Sequence, residues 1–424
     1  MQIKKSLIAE HNDLNIAEHQ RRFEWASTHI AYCDSIVARV AAFQITIPSW
    51  ALGTGGTRFG RFAGAGEPRT LLEKIDDVGL LHAINRSCGS ISLHVPWDSV
   101  DDAPAVRTRA SSHGLQFDAV NSNTFQDQPS QPLSYKFGSL SHVDKAVRNQ
   151  AVEHNIETIR QGELVGSKAL TLWLSDGSCF PGQIDFRRSF ERTLESMKQI
   201  YRALPIDWKM YIEYKAFEPN MYSTTVGDWG YSHMFASKLG KQALTLVDLG
   251  HHLPSTNIEQ IVAILMMEGK LAGFHFNDSK YGDDDLTVGS INPYQLFLVF
   301  CELVRGMDEQ KMNHARDLGW MIDASHNVKD PLEDLLQSVE AIQLAYAQAL
   351  IVDSQGLFQA QEANDPVAAQ EVLQAAFRTD VRPIVAEARR RAGGALCPIS
   401  LFRSMNVRAN LIAERGSITR STGL

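Results

Sequence analysis

Over the first 42 positions the apolar residues recur at mixed spacings of three and four (Leu14, Ile16, Ala17, Phe23, Ile30, Ile36, Val40), which is a helical rhythm. From residue 43 the texture changes. Short runs rich in β-branched and aromatic residues alternate with loops and amphipathic stretches. The runs that read as strands are FQITIP (43–48), SISLHVP (90–96), LQFDAV (115–120), ALTLWL (169–174), KMYIEY (209–214), ALTLVDL (243–249), LAGFHF (271–276) and GWMIDA (319–324). Between them LLEKIDDVGLLHAI, AVRNQAVEHNIETIRQGEL, SFERTLESMKQIYRAL, WGYSHMFASKLG, NIEQIVAILMMEGK, PYQLFLVFCELVRGM and PLEDLLQSVEAIQLAYAQAL read as helices, with 98–113 a poorer one. Strand after strand with a following helix predicts an α/β chain: a (β/α)8 TIM barrel over 43–350 with N-terminal (1–42) and C-terminal (351–424) helical extensions. The barrel is longer than the typical ~250 residues, and the surplus falls in loops, notably 50–70 and 121–142. The C-terminal extension breaks at Pro366, Pro383 and Gly393-Gly394. Its run Arg389, Arg390, Arg391 reads as a solvated helix face or helix end, with a salt-bridge patch between subunits as the alternative.

Composition narrows the function. The chain has 424 residues, 44% hydrophobic and 21% charged, an ordinary globular balance. Its 41 basic and 49 acidic residues give a net charge of −8, which argues against a nucleic-acid partner. Cys33, Cys88, Cys179, Cys301 and Cys397 are scattered and form neither a disulfide framework nor a CxxC pair. The start MQIKKSLIAEHND has only Leu7 to Ala9 as an apolar run, so no signal peptide is expected. LFLVFCELV is too short to span a bilayer. These features predict a soluble, cytoplasmic protein with no membrane partner.

Reactive groups of such barrels sit where strands end and in the loops that follow. The fifth run ends IEYKAFEP, where Glu213 and Lys215 share a face. The sixth ends VDLGHH, with Asp248 closing the strand and His251 and His252 just beyond. The seventh ends GFHFNDSKYGDDD: His275 and Asn277 share a face, and a turn leads to Asp283, Asp284 and Asp285. The eighth ends MIDASHN, giving Asp323 and His326. Mixed carboxylate and imidazole ligands without thiolates suit Mn2+, Mg2+, Co2+ or Zn2+. Glu213, Asp248, His275 and Asp323 make one candidate site. His251, Asp283 and Asp285 make a second beside it, with Glu213 as a bridge. Cations would cancel the mutual repulsion of so many carboxylates; pairing with Lys and Arg is the alternative. Asp284 is expected to face away, and His252 and His326 to support or pack.

The earlier runs supply a different chemistry. LHVPWD carries His94 and Trp97, and LWLSDGSCFPGQ carries Trp173. Tryptophans at a barrel mouth suit the apolar face of a sugar, with core packing the alternative. AVNSNTF offers Asn121 and Asn123 to a ligand or to a turn. The loop PSWALGTGGTRFGRFAGAGEPRT, with Arg58, Phe59, Arg61 and Phe62, has no GK[ST], and Arg58 breaks G-x-G-x-x-G, so a lid or subunit contact is expected rather than a nucleotide loop.

At PSWALGTGGTRFGRF, SLHVPWD, DAVNSNTF, SYKFGSLSH, QAVEHN, GSKALTLWLSDGS, LVDLGHH, GFHFNDSKYGDDD, MIDASHN and RTDVRPIVAEARRR the chain resembles the L-rhamnose isomerase family, and within it the bacterial branch of broad specificity. The likeness runs from about residue 43 to 395. It implies a metal-dependent aldose–ketose isomerase, a homotetramer with two Mn2+ per subunit, acting on L-rhamnose with activity on other aldoses such as D-allose. By match, Glu213, Asp248, His275 and Asp323 would hold a structural metal, and His251, Asp283 and Asp285 the catalytic one. His94, Trp97, Trp173, Lys215 and Asp285 would line the sugar site, and Phe59 would reach a neighbouring subunit's pocket. Asp323, Lys215 and His251 are the expected catalytic groups. Tyr214 stands where the family leads one to expect His and should face away from Glu213 and Lys215; the segment DLGWMID also looks altered. Transfer of hydrogen between C1 and C2 could run by hydride shift or through an enediol. The alternatives are a metal-dependent ketose 3-epimerase on the same barrel, a metal-dependent phosphodiesterase and a sugar-binding protein without activity.

Overall fold

The structure, a computed structural model, describes residues 3–53, 62, 64–308, 318–324 and 328–418. The apolar runs become β1 (Thr46–Pro48), β2 (Ser90–Val95), β3 (Gln116–Ser122), β4 (Ala169–Leu172), β5 (Lys209–Glu213), β6 (Ala243–Asp248), β7 (Leu271–Phe276) and β8 (Gly319–Ile322). All neighbours are parallel and in chain order, and β1 pairs with both β2 and β8, so the sheet closes into the barrel that the alternation predicts. Covered by helices outside and side chains inside, the strands have no wet face, which is why they read as apolar runs rather than as alternation.

Loop aspartates have a structural duty in this layout. Asp102, Asp144, Asp185, Asp228 and Asp330 each accept a backbone N–H of the first turn of the helix they precede, and Asn257 does the same. Thr70 and Glu73 close a capping box on the helix Leu71–Asn85. The acidic residues of the barrel mouth are not spent in this way.

Inside the barrel Tyr211, Leu244 and Leu246 pack among Ala119, Ala169 and Ala272, large side chains against small ones. Tyr211 lies two residues before Glu213 and Leu246 two before Asp248, so this layer is the floor under the strand-end acids. Between β7 and β8 Gly273 faces Gly319. A Cβ on Gly273, which has a φ of 145°, would lie 2.1 Å from the Gly319 carbonyl oxygen, so only glycine lets β7 and β8 approach.

The two extensions pack on each other. Helices Ile16–His29 and Cys33–Ala42 lie against Arg382–Arg391. The arginine run is the helix end that its sequence suggests, and Arg390 and Arg391 are exposed, but Arg389 is not solvated. Arg389 is buried and donates to the Ala395 and Leu396 carbonyls, at 3.2 and 3.1 Å. Arg390 and Arg391 each reach Glu387 at 2.7 Å, and Arg391 also reaches Asp34 at 2.7 Å. Burial raises the Glu387 carboxyl, but hydrogen bonds from Arg390, Arg391 and His19 overcome it and bring it down to about 2. Glu387 is three and four residues from these arginines, but Asp34 and His19 lie 357 and 368 residues from Arg391 and Glu387, so a local reading could not find them. Among the described residues no single helix is long and apolar enough to cross a membrane.

The last helix, Val407–Arg415, is tied down by two ion pairs. Arg408 holds Asp330 at 2.5 Å, and Arg415 holds Asp77 at 2.6 Å with side chains only 3% and 2% exposed. Removing one partner of a buried pair strands the other charge. Arg415→Met is therefore expected to destabilise the fold by about 3–5 kcal/mol, read as a lower denaturant midpoint. An unchanged midpoint would mean that this helix contributes nothing to holding the barrel.

Candidate active site

Strand register delivers four candidate ligands to one rim. Asp248 pairs directly with His275 across β6 and β7. Glu213 pairs with Leu246, two residues before Asp248, and His275 pairs with Met321, two before Asp323. Side chains two apart share a face, so all four point into the barrel at its C-terminal end. Ligand atoms of Glu213, Asp248, His275 and Asp323 all lie within 4.8 Å of one another. His275 Nδ1 is 3.2 Å from Glu213 Oε1, 3.4 Å from Asp323 Oδ2 and 3.8 Å from Asp248 Oδ2.

The second candidate set lies beside the first. His251 Nδ1 is 2.9 Å from the Tyr214 carbonyl oxygen and 3.2 Å from Glu213 Oε1, and its Nε2 is 2.9 Å from Asp283 Oδ1. A carbonyl only accepts, so Nδ1 donates and Nε2 is the ring nitrogen left for a ligand. Asp283 and Asp285 sit on a loop closed by a bridge between Asp278 and Leu286. Both adopt left-handed backbone, with φ of 54° and 46°, a conformation that aspartate tolerates. Asp284 faces away, accepting the Lys280 and Tyr281 N–H groups at 2.6 and 2.8 Å. Lys215 Nζ bridges Glu218, at 2.5 Å, and Asp283. It also lies 5.2 Å from the centre of the Trp173 ring.

The candidate ligands other than Asp248, together with Lys215, line one pocket with about 590 Å³ of empty space. The acids and the imidazoles His251 and His275 form one wall; Trp50, His94, Phe125 and Trp173 form the other. Both ring nitrogens of His94 are buried without a hydrogen-bond partner among the described residues. Burial pulls His94 down to about 4, so it is neutral and can offer one donor and one acceptor to a ligand.

The sequence also placed residues that the pocket does not use. Trp97 packs edge-on against His94, ring centres 4.8 Å apart, and does not line the pocket. Asn121 lines it, but its amide donates to Ser92 and Leu93, and Asn123 caps the Phe125 N–H. Tyr214 is buried on the far side of its strand with its hydroxyl 2.7 Å from His252 Nε2. Phe59, Arg58, Arg61 and His326 lie outside the described residues. Sequence reasoning passed over Trp50, whose indole donates to Asp323 Oδ1 at 2.8 Å, and Glu218. Trp50 stands two residues past β1 and Glu218 five past β5, the positions where barrel chemistry concentrates.

Electrostatics decide what the acidic wall can hold. Burial first, and then Glu213 and Asp323, push the Asp248 carboxyl up to about 7. Burial likewise raises Asp285 well above the usual carboxylate range, with Asp323, Asp283 and Asp248 adding to it. Burial opposes charge on His251, yet Asp248, Asp283 and Glu213 carry it up to about 9. His275 is driven up in the same way, with Glu213 and Asp323 outweighing burial. Burial raises Asp323 too, but bonds from His275 and Trp50 prevail and hold it below its ordinary value. Asp248 Oδ2 is buried with no hydrogen-bond partner among the described residues. An orphaned carboxylate oxygen among oxygen and imidazole donors is what a hard or borderline divalent cation fits.

Comparison with known proteins gives a consistent result. No family model matches the chain. A probable sugar isomerase of Rhizobium meliloti is 53% identical over 390 residues, 92% of this chain and 90% of that protein. A probable sugar isomerase of Mesorhizobium japonicum matches at the same 53% over 390 residues, with the same two coverages of 92% and 90%. Among solved structures, L-ribulose 3-epimerase has a TM-score of 0.53 at 14% identity, covering 77% of this chain and 99% of its own. A xylose isomerase domain protein from Alicyclobacillus acidocaldarius has a TM-score of 0.50 at 15% identity, over 73% of this chain and 100% of its own. At such identity the structural likeness is one of fold alone.

Cation binding must expel the protons that burial and crowding keep on this wall. Below about pH 7 Asp248 is mostly protonated, so affinity for Mn2+ is expected to weaken steadily as pH falls from 8 to 6. Calorimetry in buffers of different protonation heat should show release of about one proton or more per ion. A pH-independent affinity with no proton release would contradict this electrostatic account.

Proposed function

Because the chain belongs to the family of these probable sugar isomerases, we propose that it is a metal-dependent aldose–ketose isomerase. The carrying observation is the convergence of Glu213, Asp248, His275 and Asp323, from four consecutive strands, with ligand atoms within 4.8 Å. A divalent cation held by these residues supplies Lewis-acid polarisation of a sugar carbonyl and its neighbouring hydroxyl. The chain supplies the rest. Asp323, fixed by Trp50 and held ionised, is placed to take or return a proton at C1 or C2. Burial disfavours charge on Lys215, but Asp283 and Glu218 more than offset it and keep the ammonium charged, ready to stabilise a developing oxyanion. The aromatic wall receives the apolar edge of the sugar chain and excludes water, and neutral His94 offers its two ring nitrogens to hydroxyls.

The finer reading follows the family resemblance of the motifs. In it, His251, Asp283 and Asp285, with Glu213, would hold a second cation, and both ions would be Mn2+. His251 thereby joins Asp323 and Lys215 as a catalytic group. The substrate is L-rhamnose, converted to L-rhamnulose, with D-allose and other aldoses as further substrates. The protein works in the cytoplasm as a homotetramer.

The test is an isomerase assay on a panel of aldoses after chelation with EDTA and again after Mn2+ is restored. Activity should vanish and return, and the ranking of sugars should identify the substrate. Exchange between ketoses alone would replace this reading with the 3-epimerase. A second expectation concerns Glu213→Gln, which removes one charge between the two candidate sites. Turnover should drop by about 100-fold or more while circular dichroism stays native. Near-normal turnover would exclude Glu213 as a ligand.

A further inference from the structure

Beneath the aromatic wall lies an ion pair that the site itself does not include. Lys74, on the helix Leu71–Asn85, donates to Asp98 Oδ1 at 2.6 Å, and the two side chains are only 2% and 1% exposed. The other carboxylate oxygen of Asp98 accepts the backbone N–H of His94 at 2.8 Å and the hydroxyl of Ser49. One carboxylate thus takes donors from the turn after β1, from β2 and from a helix outside the barrel. Two of those donors lead straight into the pocket. His94 lines it, and Ser49 is followed by Trp50, whose indole holds Asp323 Oδ1 at 2.8 Å. The two rings meet at an angle of 68° with centres 5.1 Å apart.

An ion pair sealed from water is a poor way to gain stability, because desolvation consumes most of its attraction and apolar residues of like size usually serve as well. What it gives instead is direction. A charged acceptor fixes three donors to within tenths of an ångström, and reaction geometry responds to shifts of that size. We propose that Lys74 and Asp98 are a buried positioning pair that sets Trp50 and His94 against Asp323. Its catalytic consequence rests on the isomerase reading; its structural consequence does not. The pair touches no substrate. Its loss should slow turnover while leaving the pocket able to bind sugar.

Two variants test this in the full chain. Ser49→Ala cuts the link from Asp98 to the Trp50 turn and leaves the ion pair in place. Lys74→Met/Asp98→Asn removes both charges together, so no buried charge is stranded. The expected result is a kcat lower by about tenfold in the double variant and about threefold in Ser49→Ala, with KM within about twofold of wild type. The second readout needs no activity. With 5-fluorotryptophan in place of the seven tryptophans, the Trp50 fluorine resonance, assigned by Trp50→Phe, should shift or split in both variants. An unmoved resonance overturns the pair as a positioning device. So does a kcat that stays at wild type, or one that falls only in step with the unfolding midpoint. If the wild-type protein isomerises no aldose, the functional reading fails, and the fluorine resonance still decides the fate of the pair.

Discussion

Negative charge crowded into a place with little water is the constraint on which this molecule turns. Glu213, Asp283, Asp285 and Asp323 line one pocket, and Asp248 is buried beside them with its ligand atom within 4.8 Å of those of Glu213 and Asp323. Such a group cannot stay fully ionised unaided, and the shifts of Asp248 and Asp285 show the two ways out, protonation or a cation. The local cations, Lys215 and the imidazolium forms of His251 and His275, offset only part of the charge. A fold that assembles this cluster gives up stability and leaves acids that a cation would neutralise.

The scaffold answers that demand with rigidity. Parallel register aligns Glu213, Asp248, His275 and Asp323 at one height, and Tyr211, Leu244 and Leu246 fill the barrel beneath them. The loop that carries Asp283 and Asp285 is pinned by the Asp278–Leu286 bridge and by the bond from the Asp283 N–H to the Gly250 carbonyl, at 2.8 Å. Opposite, the Lys74–Asp98 pair braces the turn that presents Trp50. One wall is electrostatic and the other aromatic, and each has its own support behind it. That division suits a polyhydroxy substrate with a polar reacting end and an apolar edge.

Much of this was legible in the sequence, for physical reasons. Strands covered on both faces leave apolar runs that stand out, so every barrel strand was found, with bounds off by three residues at the start of β1 and by two at the ends of β3, β4 and β8. The rule that chemistry sits at strand ends led to Glu213, Asp248, His275 and Asp323 before any geometry. What was not legible depends on direction and distance. Trp97 and Trp173 look alike in sequence, yet only Trp173 faces the pocket, because the turn after β2 swings Trp97 behind His94. Lys74 looks like an ordinary exposed helix lysine until the fold sets Asp98 against it. Arg389 looks as solvated as Arg390 and Arg391 in sequence, until the fold buries it against the Ala395 and Leu396 carbonyls, and Asp34, which Arg391 reaches, lies at the other end of the chain.

The central claim is that four strand ends form a metal centre. The most direct test is an anomalous diffraction map from crystals grown with Mn2+. The account predicts a peak among Glu213, Asp248, His275 and Asp323, roughly 2.0–2.4 Å from their ligand atoms. A map with no peak there, or with manganese only at surface carboxylates, would contradict it.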